Sequence, residues 1–259
     1  MSSHPYRYIL YTFFGSSCTA RVRIAAAYKS IPLVYRFIRL HKGDQHLPSF
    51  ITAINPSASV PVLCVYPHDS DPNNKDSSPI AIITQSVAII EYLEETYPTD
   101  IRLLPPLEQP LLRAKVRELV GVVVCDIQPL TNMRVFKYVA SLLYPEHPPK
   151  PTMGDPNEPW EWKEDEWARH FMTLGLSAYE KLCKDCAGRF SVGDDLSMAD
   201  VCLVAAVDRA ERYGVDMSQF DVVKRVDCEI RKLDCYKKGG FRSQPDTFRS
   251  LQKETAEKL

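Results

Sequence analysis

At 259 residues the chain is long enough for one large domain or two ordinary ones, and 45% hydrophobic with 25% charged residues excludes disordered, collagen-like and coiled-coil classes. Lys plus Arg number 32 against 33 Asp plus Glu, a net charge of −1, so no basic excess exists to neutralise phosphates and no nucleic-acid partner is expected. No apolar stretch approaches the roughly 18–20 residues of a membrane span, so no membrane partner is expected either. Tyr8–Phe14 is short for a signal core and is followed by Arg21 and Arg23 without a small-residue cleavage pattern. The expectation is a soluble, cytoplasmic protein.

The eight cysteines (Cys18, Cys64, Cys125, Cys183, Cys186, Cys202, Cys228 and Cys235) are scattered and read as reduced thiols rather than a disulfide framework. The single C-x-x-C, Cys183 to Cys186, has no further Cys or His at metal spacing, so no metal site is assigned.

In chain order, aromatic and branched Tyr6–Tyr11 predicts a strand. Cys18–Lys29, rich in Ala and Arg without Gly or Pro, predicts a helix, and Leu33–Ile38 a second strand. Strand, helix, strand is a βαβ unit, which makes the two strands parallel. Lys42–Pro56 reads as irregular. Val60–Val65 and Ile80–Ile83 are short strands joined by the polar loop HDSDPNNKDSSP, as in a hairpin. Ser86–Glu95 is an amphipathic helix with Val87, Ile90, Tyr92 and Leu93 inward.

LLPPLEQP marks a boundary near residue 105, giving an α/β domain over residues 1–104 and an all-α domain over residues 108–259. Leu111–Tyr144 is helical with a bend at Pro129, and Trp167–Lys184, Ser197–Arg212 and Val222–Leu233 follow as helices. A Pro-rich excursion near 145–165 interrupts them. SMAD, Ser197–Asp200, is a capping box with a folding role, and Leu196 and Val201 stand at its staple positions.

Three stretches carry candidate chemistry. FFGSSCTARVRIA delivers a strand to Gly15, a residue tolerant of unusual backbone angles, and starts a helix at which Ser16 or Ser17 is the cap. Free N–H groups and the positive dipole end favour an anion there, a thiolate included, although a plain cap explains the same serines. In ASVPVL, a cis Val60–Pro61 bond turns the Val60 backbone outward to hold an extended peptide, whereas trans is the default. In TQSVAIIEYLEE, Gln85 and Ser86 stand at another helix start, with donors for a carboxylate or simply as caps. Together these describe an extended peptide with a carboxylate at one helix start and a soft anion at the other.

SSCTARVRIA, NPSASVPVL, TQSVAIIEYLEE, DIQPLTNMRVFKYV and FSVGDDLSMADVCLV, in this order, resemble the zeta class of glutathione transferases. The resemblance spans nearly the whole chain except the 68–79 loop and the 145–165 excursion, which read as insertions. It implies a thioredoxin-like domain followed by a helical one, a homodimer, and glutathione as cofactor. By resemblance Ser16, Ser17 and Cys18 activate the thiol, with Ser16 the donor to sulfur. His46, next to Gln45, approaches glutathione. Val60 clasps its backbone, Gln85 and Ser86 hold the γ-glutamyl carboxylate, and Gln128 and Asn132 line the site from the helical domain. Arg212 binds a substrate carboxylate. Arg21 and Arg23 read as structural salt-bridge or domain-contact residues.

The implied reaction is cis–trans isomerisation of maleylacetoacetate to fumarylacetoacetate in phenylalanine and tyrosine breakdown. The alternative is a transferase acting on small electrophiles or α-haloacids. A free thiol has a pKa of about 8.5, and lowering it two units takes about 2.7 kcal/mol. One hydrogen bond to an anion contributes roughly 1.5–3 kcal/mol and a helix N-terminus roughly 0.3–1 kcal/mol, so the two suffice. Many family members carry arginine immediately before the serine pair. Here that residue is Gly15, so half of the expected carboxylate clamp is either missing or supplied elsewhere. A silent binding domain is disfavoured by the intact serines, and a thiol–disulfide oxidoreductase by the missing second cysteine after Cys18.

Overall fold

The computed structural model describes residues 5–70, 77–99, 101–143 and 163–247. Residues 71–76 of the 68–79 loop and 145–162 of the 145–165 excursion therefore lie outside the described residues, and 163–165 already belong to a helix. The chain divides into two compact units. One is Met1–Arg102 with the segment from Leu233 onward, and the other is Leu103–Lys232.

The first unit is built on a sheet of order β2-β1-β3-β4: β1 Tyr6–Thr12, β2 Val34–Phe37, β3 Val62–Pro67 and β4 Ala81–Thr84. β1 pairs parallel with β2, with Ile9 opposite Val34, as a βαβ crossover requires. β3 runs antiparallel to both β1 and β4. The central strands are buried on both faces, with Leu10 inside on β1 and Val62–Val65 forming one buried apolar run on β3. The edge strands stay largely open to solvent. α1 (Ser17–Tyr28) is buried on all sides from Thr19 to Ala26, so its sequence carries no amphipathic alternation. Between β2 and β3, where the sequence reads as irregular, single 3-10 turns at Leu40–Lys42 and Asp44–His46 lead into α2 (Pro48–Ala53). Pro48 sits in the first turn of α2, where its missing N–H is no loss. α3 (Ser86–Thr96) buries Ile89, Ile90 and Leu93, whereas Val87 and Tyr92 are only half-buried. Lys29 ties α1 to α3 by an ion pair to Glu94 at 2.7 Å and also donates to the Ile101 carbonyl at 2.7 Å.

Among the described residues the second unit has no strand longer than an isolated bridge. α4 (Pro110–Gly121) continues as a π turn over Val122–Ile127, and regular helix stops around Pro129 before α5 (Met133–Leu143). α6 (Lys163–Cys183), α7 (Met198–Arg212) and α8 (Asp221–Arg231) follow. At the start of α7, Asp200 accepts from the N–H and the Oγ of Ser197, both at 2.8 Å, and from the Ser191 N–H at 2.7 Å. Burial lifts this carboxyl above the ordinary range, and the serine hydrogen bonds oppose the shift. Leu196 and Val201 are buried beside it, as a staple needs.

Past Leu233 the chain leaves the helical unit and rejoins the first, whereas composition alone keeps it helical-domain to the end. α9 (Asp234–Gly239) packs on α1. A Cβ on Gly239 would stand 2.6 Å from the Ile24 nitrogen, so only glycine permits this crossing. All eight cysteines are free thiols, and burial raises Cys64 to about 11 and Cys183 to about 12.

Candidate functional site

β1 runs out at Thr12, and Phe13–Gly15 turn the chain into α1. The Ser16 N–H closes this turn on the Phe13 carbonyl at 3.1 Å. Ser16, not Ser17, is the cap: its backbone is extended (φ −82°, ψ 112°) and its Oγ accepts from the Thr19 N–H at 3.2 Å. A hydroxyl that accepts in this way keeps its own proton to donate. Ser17 and Cys18 are the first two helical residues, both half-buried, and the first turn holds no acidic side chain. Gly15 does not use its freedom: the left-handed glycines among the described residues are Gly43, Gly193 and Gly214.

The turn is held from behind by parts distant in sequence. Arg23, buried, donates to Thr12 Oγ1 at 2.8 Å, to the Phe13 carbonyl at 3.2 Å and to the Phe14 carbonyl at 3.3 Å. Its Nε reaches the Gly239 carbonyl on α9 at 2.9 Å. The Phe14 N–H donates to Asp246 Oδ2 at 2.9 Å. Burial pushes the Asp246 carboxyl up, and the Phe14 amide and the Arg23 charge pull it down. No local pattern announces Asp246, which lies 232 residues from its partner. The arginine signal was visible as two guanidinium groups on a helix with no polar face. Arg21 and Arg23 are expected as salt-bridge or domain-contact residues, and for Arg23 the partners include one hydroxyl and three backbone carbonyls.

The second helix start has different chemistry. Gln85 precedes α3 with φ 73°, the left-handed region that non-glycine residues rarely adopt, and it makes no side-chain cap. Ser86, 6% exposed, is the first helical residue, and the first turn is again free of acidic side chains. Arg21, one turn beyond Cys18, reaches it: Nη1 lies 3.3 Å from Ser86 Oγ. The two helix starts are thus bridged by one side chain. Val60 is buried just before β3, and the Val60–Pro61 peptide is cis.

His46 is exposed at the end of a 3-10 turn, with its N–H on the Gly43 carbonyl at 2.8 Å. His41, which sequence reading passed over, lies with its ring centroid 6.1 Å from that of Phe13. The remaining candidates belong to the second unit. Gln128, half-buried, ends the π turn with its N–H on the Val123 carbonyl at 3.0 Å. Asn132 Oδ1 accepts from the Arg134 N–H at 3.1 Å at the start of α5. Arg212 is exposed in the last turn of α7, where a cation suits the helix dipole.

Residues 10–104 match the family profile described as Glutathione S-transferase, N-terminal domain. Maleylacetoacetate isomerase of Emericella nidulans is 42% identical over 242 residues, covering 93% of this chain and 94% of that protein. The solved holo structure of a bacterial maleyl pyruvate isomerase, a zeta-class glutathione S-transferase, is 30% identical with a TM-score of 0.75, covering 93% of this chain and all (100%) of that one. Maleylacetoacetate isomerase from Anaeromyxobacter dehalogenans 2CP-1, solved with bound GSH in its active site, is 33% identical with a TM-score of 0.74, covering 95% and 100% of the two chains. Two serines at a helix start with no acidic side chain in its first turn, a second start equally free of acid and these full-length likenesses agree: the chain belongs to the zeta-class glutathione transferase and maleylacetoacetate isomerase family.

Proposed function

We propose that this chain is a glutathione-dependent cis–trans isomerase acting on maleylacetoacetate, working in the cytoplasm as a homodimer in phenylalanine and tyrosine breakdown. The observation that carries the reading is the start of α1, where the Ser16 Oγ is spent as an acceptor and its proton is left to donate. When bound, glutathione supplies a thiolate that adds to the conjugated double bond and later leaves, so that the bond rotates as a single one in between.

The chain's own residues do the rest. Ser16 donates its hydroxyl proton to the sulfur, and the N–H groups at Ser17 and Cys18 add the positive end of the helix. Arg23 and Asp246 keep the Thr12–Gly15 turn from moving, so these donors are aimed before sulfur arrives. Val60 offers backbone groups to the peptide, Gln85 and Ser86 take the γ-glutamyl carboxylate, and His46 approaches the tripeptide. Gln128 and Asn132 line the glutathione site from the helical domain, and Arg212 takes a substrate carboxylate. The donor set fits the cofactor: it offers neutral donors for a charge that comes and goes, and a buried cation near the place of a permanent one.

The test is turnover of maleylacetone with and without glutathione, for wild type and Ser16→Ala. Glutathione-dependent isomerisation that falls about 10- to 100-fold in Ser16→Ala is expected, the loss of one hydrogen bond to an anion. Equal rates for the two proteins remove Ser16 from its role. Glutathione consumption with a haloacid, in place of isomerisation, identifies the transferase alternative.

A further inference from the structure

Arg21 is 2% exposed, yet among the described residues it makes no ion pair, and its one side-chain hydrogen bond is to Ser86 Oγ at 3.3 Å. Its Nε is buried with no partner. A guanidinium stays protonated in proteins, and an uncompensated buried charge is strongly unfavourable. Other buried cations of this chain are provided for: Lys29 meets Glu94, and Arg23 meets a hydroxyl and three carbonyls. Arg21 alone of these three points at a helix start that has neither a side-chain cap nor an acidic residue in its first turn. The Ser86 hydroxyl accepts from Arg21 and donates to nothing among the described residues, so its proton is directed to whatever occupies that start.

From this geometry we infer that Arg21 is a positioning residue and the buried counter-charge for the ligand's α-carboxylate at the start of α3. It acts through Ser86: holding the oxygen by its lone pair, it turns the hydroxyl proton outward and makes the bond to the carboxylate charge-assisted. The site then selects a peptide thiol whose γ-linked residue carries a free carboxylate. This deepens the proposed glutathione reading and rests on it.

The experiment is calorimetric binding of two ligands, glutathione and 4-aminobutyryl-cysteinyl-glycine, the same tripeptide without that carboxylate, to wild type and Arg21→Met. Wild type is expected to prefer glutathione. Arg21→Met should weaken glutathione by about 10- to 100-fold, the size of a charged hydrogen bond, and shift the analogue by less than about twofold. Equal losses for both ligands, or no loss for either, would overturn the role of Arg21 while leaving the carboxylate reading intact. Equal affinity of wild type for the two ligands would overturn that reading, and the role of Arg21 with it. If Arg21→Met does not fold, Arg21→Gln keeps a donor for Ser86, removes the charge and gives the same two-ligand comparison.

Discussion

The starts of α1 and α7 are both capped by serine, and they do opposite things with their free N–H groups. At α7 the protein supplies its own anion: Asp200, fully buried, takes bonds from Ser197 and Ser191, and the helix start is closed. At α1 no acidic side chain occupies the first turn, and only the neutral Ser16 hydroxyl serves the Thr19 N–H. One start is finished by folding, and the other is the one we propose for the ligand's sulfur. The start of α3 differs from both, because a buried arginine stands behind it and, among the described residues, no carboxylate pairs with that arginine. In the proposed reading an anion that forms during turnover is matched by dipoles and hydroxyls, and a permanent carboxylate by a permanent charge.

Three variants sharpen this contrast. The largest effect should come from Arg23→Met, which strands a hydroxyl and three carbonyls around the Thr12–Gly15 turn. A loss of about 3–5 kcal/mol is expected, measured by urea unfolding, with glutathione affinity lowered in whatever protein remains folded. Retained stability would mean that the turn holds itself. Asp200→Ala opens the α7 start and should cost about 2–3 kcal/mol while leaving glutathione binding by the folded protein unchanged. A change in that binding would join the two starts functionally and end the contrast. The smallest effect is that of Gln85→Gly. Relief of the positive φ should stabilise the chain by about 1 kcal/mol in thermal melts, at the expense of weaker glutathione binding. Weaker binding together with lower stability would mean that the Gln85 side chain matters to the fold.

How much of this was legible in the sequence follows from the range of each interaction. The βαβ unit, the hairpin and the α7 box are local patterns, and the residues that make them are neighbours in the chain. So are Ser16 and Ser17 and the Gln85–Ser86 pair, which sit at helix starts that periodicity reveals. Hidden features are those created by tertiary contact. α2 is one and a half turns long and has no periodicity to read. The return of α9 to α1 depends on a glycine whose role appears only when Ile24 stands against it. Asp246 and the partners of Arg21 and Arg23 come from 65 to 232 residues away in the bonds to Ser86, Gly239 and Phe14. A buried arginine in an Ala-rich helix shows that it needs partners, without showing which.

The central claim is that the start of α1 holds sulfur as an anion at neutral pH. Its direct test is titration of the glutathione thiol in the complex, followed by the ultraviolet absorbance of the thiolate. We expect ionisation about one to two units below the free thiol value of about 8.5, and a return most of the way towards that value in Ser16→Ala. A thiol that ionises in the wild-type complex at the same pH as in buffer would contradict the claim.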